Sequence, residues 1–104
     1  MTQADVVVFR QWRHSGDVIA LFPELPADLG GDCCDSYEHC GQHGGADYHH
    51  VVRQTKPCSP DDAADLVAEL RTIGYVLRPV KRASRIHHDN RRQTASDLRR
   101  MVWT

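Results

Sequence analysis

Ser59-Pro60-Asp61-Asp62-Ala63-Ala64-Asp65-Leu66-Val67-Ala68-Glu69-Leu70-Arg71-Thr72-Ile73-Gly74 decides the fold class of this chain. Ser59 suits a helix N-cap, because its hydroxyl can accept from an orphan N–H of the first turn, and Pro60 suits the first helical position, where no N–H is needed. Asp61 and Asp62 complement the positive end of the helix dipole. Ala63, Leu66, Val67, Leu70 and Ile73 recur at three- and four-residue spacing, so one apolar stripe is expected, and Gly74 supplies the left-handed residue that ends the helix. The spacing predicts a helix over 60–73 whose stripe packs on a sheet.

The strands of that sheet lie mostly upstream. Val6 to Arg13 and Asp17 to Phe22 are rich in β-branched and aromatic residues and flank His14-Ser15-Gly16, which predicts an antiparallel hairpin. Neither run alternates cleanly between apolar and polar, so both strands are expected to be covered on both faces. Pro23 and Pro26 are expected to stop the pairing, with a loop over 23–32. A third strand is predicted over 34–40 and a fourth over 48–55. Downstream of the helix, Tyr75 to Val80 reads as a last strand, placed at an edge because Pro79 cannot donate to a ladder.

These elements predict an α+β domain over 1–83 with the order β-β-β-β-α-β, its sheet mainly antiparallel and of four or five strands. The main helix lies across the sheet, and a basic tail occupies 84–104. At 104 residues, 40% apolar and 26% charged, the chain supports one small core. The net charge of −1 hides an asymmetry: residues 1–80 carry six Lys or Arg against twelve Asp or Glu, whereas 81–104 carry seven against two. In the tail, Leu98, Met101 and Val102 behind Thr94 or Ser96 suit a short terminal helix.

The strings Ala20-Leu21-Phe22-Pro23-Glu24-Leu25-Pro26-Ala27-Asp28 and Tyr37-Glu38-His39-Cys40-Gly41-Gln42-His43-Gly44 resemble those of a group of small uncharacterised proteins of bacteria and phages. The resemblance spans about residues 6–83 and implies a shared fold, without an activity. In that group an aliphatic residue commonly stands where Cys40 is here, so the resemblance lends nothing to a mechanism that needs Cys40.

Chemistry-bearing side chains concentrate at 36–50, where Tyr37, Glu38, His39, Gln42, His43, Asp47, Tyr48, His49 and His50 surround Gly41, Gly44 and Gly45. The glycines suit a hairpin tip at Gly41-Gln42-His43-Gly44-Gly45, which would set His39 opposite Tyr48, Glu38 opposite His49 and Tyr37 opposite His50. Those nine residues are the candidate binding set, because rigidly mounted tyrosine and histidine anchor protein contacts. Trp12 belongs to the same class of anchor. Cys40 and His43, with Cys34, His39 and His49 nearby, are candidate zinc ligands, although the second ligand pair lacks the spacing of a zinc knuckle. No cofactor is expected, with zinc as the one alternative.

A thiol enzyme would need Cys40 beside His39 or His49, oriented by Glu38 or Asp47, and no oxyanion hole or phosphate loop accompanies them. Lys81, Arg82, Arg85, Arg91, Arg92, Arg99 and Arg100 form a candidate nucleic-acid surface, opposed by the acidic body and lacking aromatics other than Trp103. The segment Met1–Arg10 has no basic region leading into a long apolar run, and no stretch approaches membrane-spanning length. The expectation is therefore a cytoplasmic chain with reduced thiols and no membrane partner. An edge strand at 75–80 could also pair across a two-fold axis as a homodimer. No motif maps onto a single chemistry. The favoured function is a non-catalytic module that binds a protein through 36–50, with zinc binding, nucleic-acid binding and a small His/Cys enzyme as alternatives.

Overall fold

Val6, Val7 and Val8 in the first strand and Ala20, Leu21 and Phe22 in the second are each at most 3% exposed, which requires cover on both faces of the sheet. The structure, a computed structural model, describes residues 4–39 and 41–103, the last two through their backbone only. Strand β1 (Asp5–Trp12) and strand β2 (Val18–Pro26) form the expected antiparallel hairpin, with Val8 opposite Leu21 and Gln11 opposite Val18. Gly16, at φ +79°, makes the turn between them.

Helix α2 spans Pro60–Ile73, as the capping residues predict. The Ser59 hydroxyl accepts from the Asp62 N–H at 3.2 Å, and Gly74, at φ +123°, returns its N–H to Leu70 and Arg71. Leu66 and Leu70 bury against Val7, Ala20, Phe22 and Tyr37 on one face of the sheet.

Strand β2 runs on to Pro26 instead of ending at Phe22. The ladder to strand β3 (Cys34–Glu38) skips between Phe22 and Pro26, and this irregularity absorbs Pro23, which has no N–H to donate. Strand β4 (Gln42–Ala46) follows turn residues His39 and Gly41, so residues 42–45 of the expected hairpin tip are themselves a strand. The register sets Glu38 opposite Gln42, Tyr37 opposite His43 and Ser36 opposite Gly44, not the pairing with 48–50 that the glycines suggested. Gly41, at φ +79°, supplies a left-handed residue at the turn, and the other two glycines sit in the ladder.

The expected fourth strand over 48–55 is instead helix α1 (Tyr48–Gln54). Asp47 caps it, accepting from the His50 N–H at 3.3 Å. A helix brings Tyr48 and Val51 onto one buried face, three residues apart, while a strand would have split them. Thr55 ends α1 and opens strand β5 (Thr55–Pro57), which pairs antiparallel with β1. Strand β6 (Leu77–Pro79) lies parallel to the other half of the same β1 edge, which agrees with the edge position expected from Pro79. The sheet order is β4-β3-β2-β1, with β5 and β6 sharing the far side of β1. This is an α+β fold on a mostly antiparallel six-stranded sheet.

Residues 85–103 form helix α3, which begins nine residues before the expected Thr94 cap. The His87 ring accepts from the Ser84 N–H at 3.0 Å, the reciprocal half of a capping box. Arg91, only 3% exposed, docks the helix by donating to the carbonyls of Gly31 and Pro23 at 2.8 Å each. Gly31 is at φ +76°, and a Cβ there would meet Ala95 at 3.1 Å, so the backbone of the 27–33 loop lies directly against α3. Arg10 plays the matching part for α1, its guanidinium donating to Thr55 Oγ1 and to the carbonyls of Val52 and Thr55 at 2.9–3.1 Å. A cation at a helix C-terminus also complements the dipole. Among the described residues no helix is long and apolar enough to cross a membrane.

Arg91→Ala should cost about 2–4 kcal/mol of stability, since it strands two buried carbonyls. Arg91→Lys should recover little, because an ammonium lacks the planar fork that reaches both acceptors. Urea unfolding with limited proteolysis checks this, with cleavage expected first within 84–103. Ser59→Ala should cost about 1 kcal/mol in the same assay without releasing α3.

Candidate functional site

Tyr37 is the pivot of the 36–46 hairpin, fully buried on the α2 face of the sheet because β3 alternates and its neighbours Ser36 and Glu38 go to the other face. Its hydroxyl donates to Glu69 of α2 and accepts from the Gly41 N–H at 3.1 Å, tying the turn to the helix. Glu69 also meets His39 Nδ1 at 2.5 Å. His39 is 79% exposed, so this contact adds little stability and serves mainly to hold the imidazole. The His43 ring packs edge-on against Tyr37, with ring centroids 4.6 Å apart, and its Nε2 lies 3.3 Å from the Tyr75 hydroxyl. Burial raises the Asp35 carboxyl above the usual carboxylate range, with His43 partly offsetting it, and burial next to Asp35 and Asp5 raises the Tyr75 phenol. Tyr37, His39, His43, Glu69 and Tyr75 therefore form one polar network on the α2 face.

The opposite face of the hairpin holds a groove of about 420 Å³ between β4 and α1. Trp12, Glu38, Gln42, Gly44, Asp47 and His50 line it. Trp12 Nε1 donates to Glu38 Oε1 at 2.7 Å, which fixes the carboxylate at the groove. Ser36 Oγ donates to the Gly44 carbonyl at 3.1 Å, and Gln54 Nε2 lies 3.1 Å from His50 Nε2. Asp47 is both a groove residue and the cap of α1.

The remaining candidate residues, Tyr48 and His49, meet His88 of α3. Tyr48 is buried, and its hydroxyl accepts from the Ala83 N–H at 2.7 Å. His49 on α1 and His88 on α3 bring their rings to 5.1 Å, and both also meet Tyr48 edge-on. The nine candidate binding residues thus divide among the α2 face, the groove and the α1–α3 contact.

The candidate metal ligands divide likewise. Cys34 is buried with Ile19 and Leu21 on the groove side, His43 lies with Tyr37 on the α2 side, and His49 sits against His88. Cys40 lies outside the described residues, among which no three His, Cys, Asp or Glu converge as a metal would require. Burial pushes the Cys34 thiol up to about 11, and burial with neighbouring aspartates also raises Cys33 and Cys58, so these three favour the unreactive thiol. Among the candidate nucleic-acid contacts, Arg91 is buried, and Arg99 donates to the Leu29 carbonyl. Arg85 and Arg92 lie 3.9 Å from Asp89, and Arg100 lies 3.9 Å from Asp97.

Glu69, Ser36, Tyr75 and His88 are site or scaffold partners that motif spacing missed. Glu69 had one signal: it stands beside Leu66 and Leu70 on the buried stripe of α2, at the margin where a carboxylate can reach the sheet's end.

His88 gives the protein a distinct acid response. Burial, with Arg91, His49, Arg92 and His87 facing it, lowers its pKa from 6.5 to about 4, and its Nδ1 lies 2.7 Å from Arg91 Nη1, which can only donate. A histidine with a lowered folded pKa binds fewer protons folded than unfolded, so stability falls as pH drops from about 6.5 towards 4. His88→Asn, which keeps an acceptor without titrating there, should flatten that slope in urea midpoints measured across the same range. No protein-family model, curated protein or solved structure matches this chain.

Proposed function

We propose that this chain is a non-catalytic module that binds a protein partner through the 36–50 hairpin, as an accessory protein of the bacterial or phage cytoplasm. One observation carries the reading: β4 is the outermost strand of a six-stranded sheet, and its residues 42–45 are exposed. An edge strand presents main-chain donors and acceptors that a second chain can pair with, and natural proteins usually cover or charge such edges. Here the edge carries Gly44 and Gly45 and no Lys, Arg or Pro. It stands on a rigid base, since Tyr37 and Glu69 tie the turn to α2 and Asp47 caps α1.

Nucleic-acid binding has less support. Of the tail cations, Arg91 and Arg99 are spent on loop carbonyls, and Arg85, Arg92 and Arg100 lie beside aspartates of their own helix.

The test is a photo-crosslinking residue placed at Gln42 and, separately, at Arg71 on the exposed face of α2, each in cells of the source organism. A discrete crosslinked protein from position 42, absent from position 71, is the expected result. Identical products from both positions, or none from position 42, would overturn the reading.

A further inference from the structure

We propose that the groove between β4 and α1 receives an arginine or lysine side chain, presented by an extended partner segment whose main chain adds to the free edge of β4. This rests on the reading of the hairpin as a partner surface and names what the partner must offer.

Charge comes first. Two carboxylates, Glu38 and Asp47, line the groove, and no lysine or arginine does. Glu38 is half-buried and held in place by the Trp12 indole at 2.7 Å, so a cation meets a positioned carboxylate rather than a mobile one. Trp12 is itself partly exposed along the groove, and an indole is the aromatic that cations prefer.

Shape comes second. The groove is open because Gly44 has no side chain: a Cβ there would lie 3.6 Å from Ser36 Oγ, in ordinary contact and on the groove side of the strand. In an added strand, successive side chains alternate between faces, so every second residue would face the groove. The residues between would face the stacked rings of His43 and Tyr75, whose flat faces an apolar or aromatic side chain can pack against. The matching segment therefore alternates basic and apolar residues.

The probes are short capped peptides: one alternating valine and arginine, one alternating valine and glutamate, and the first with alternate backbone nitrogens methylated. Binding is followed on the full chain by the amide NMR signals of Gly44 and Gly45 and the indole signal of Trp12. The valine–arginine peptide should move all three signals, with affinity falling as salt rises. The other two peptides should not move them. Glu38→Gln keeps the acceptor for Trp12 but removes the charge, and Gly44→Leu fills the groove where a Cβ is accommodated. Each should weaken binding about tenfold or more, with the circular dichroism of the folded chain unchanged.

Equal binding of the arginine and glutamate peptides would overturn the cation site while leaving the hairpin as a partner surface. No shift at these signals, or a native mass showing a dimer that Gly44→Leu dissolves, would overturn the proposed occupant. A failure of the crosslinking experiment at position 42 would remove the surface itself, so the two failures are separable.

Discussion

The burial of β1 and β2 on both faces governs the architecture. A strand sends successive side chains to opposite sides, so Val6-Val7-Val8 and Ala20-Leu21-Phe22 demand a cover above and below the sheet. One cover is α2, which supplies an ordinary apolar stripe. The other is assembled from α1, which has only seven residues, and α3, which is strongly basic. A seven-residue helix such as α1 draws its stability from tertiary contacts, and α3 has few apolar residues with which to cover the sheet. Two buried guanidiniums fill the gap. Arg10 holds the end of α1, and Arg91 holds α3 to the 23–31 segment, each by donating to main-chain carbonyls.

That division of labour leaves the hairpin at one edge, held from both sides but not covered along its outer strand. Tyr37 reaches α2 through Glu69, while Ser36 and Glu38 face the α1 side. The hairpin is rigid at its base and free along β4, which is the combination a binding edge needs. Polar chemistry that looked like a single cluster along the chain is separated by the thickness of the sheet. Burial and nearby carboxylates hold the three described cysteines as thiols.

Local signals were read well where a residue's own backbone chemistry sets the structure. Ser59, Pro60 and Gly74 bound α2 because an N-cap acceptor, a missing N–H and a left-handed φ act within one turn. The β1–β2 hairpin was legible in its β-branched runs, and Pro79 pointed to an edge. The sequence is ambiguous where two local structures are both available. Tyr48-His49-His50-Val51-Val52 has the β-branched residues of a strand, yet Asp47 caps a helix there and the packing of Tyr48 and Val51 on one face favours it. The glycines at 44–45 invite a turn, but they lie in the β3–β4 ladder, and the left-handed Gly41 precedes β4.

By itself, then, the sequence determined the α+β class, the helix over 60–73, the first hairpin and the edge character of the last strand. Tertiary structure alone decided which side of the sheet each site residue faces, that the basic tail is a docked helix, and that Trp12, Glu38 and Asp47 share one groove. The physical reason is the range of the forces involved. Caps, turns and φ preferences act over a few residues, whereas Arg91 meets its acceptors 60 and 68 residues away, and Trp12 meets Glu38 across 26.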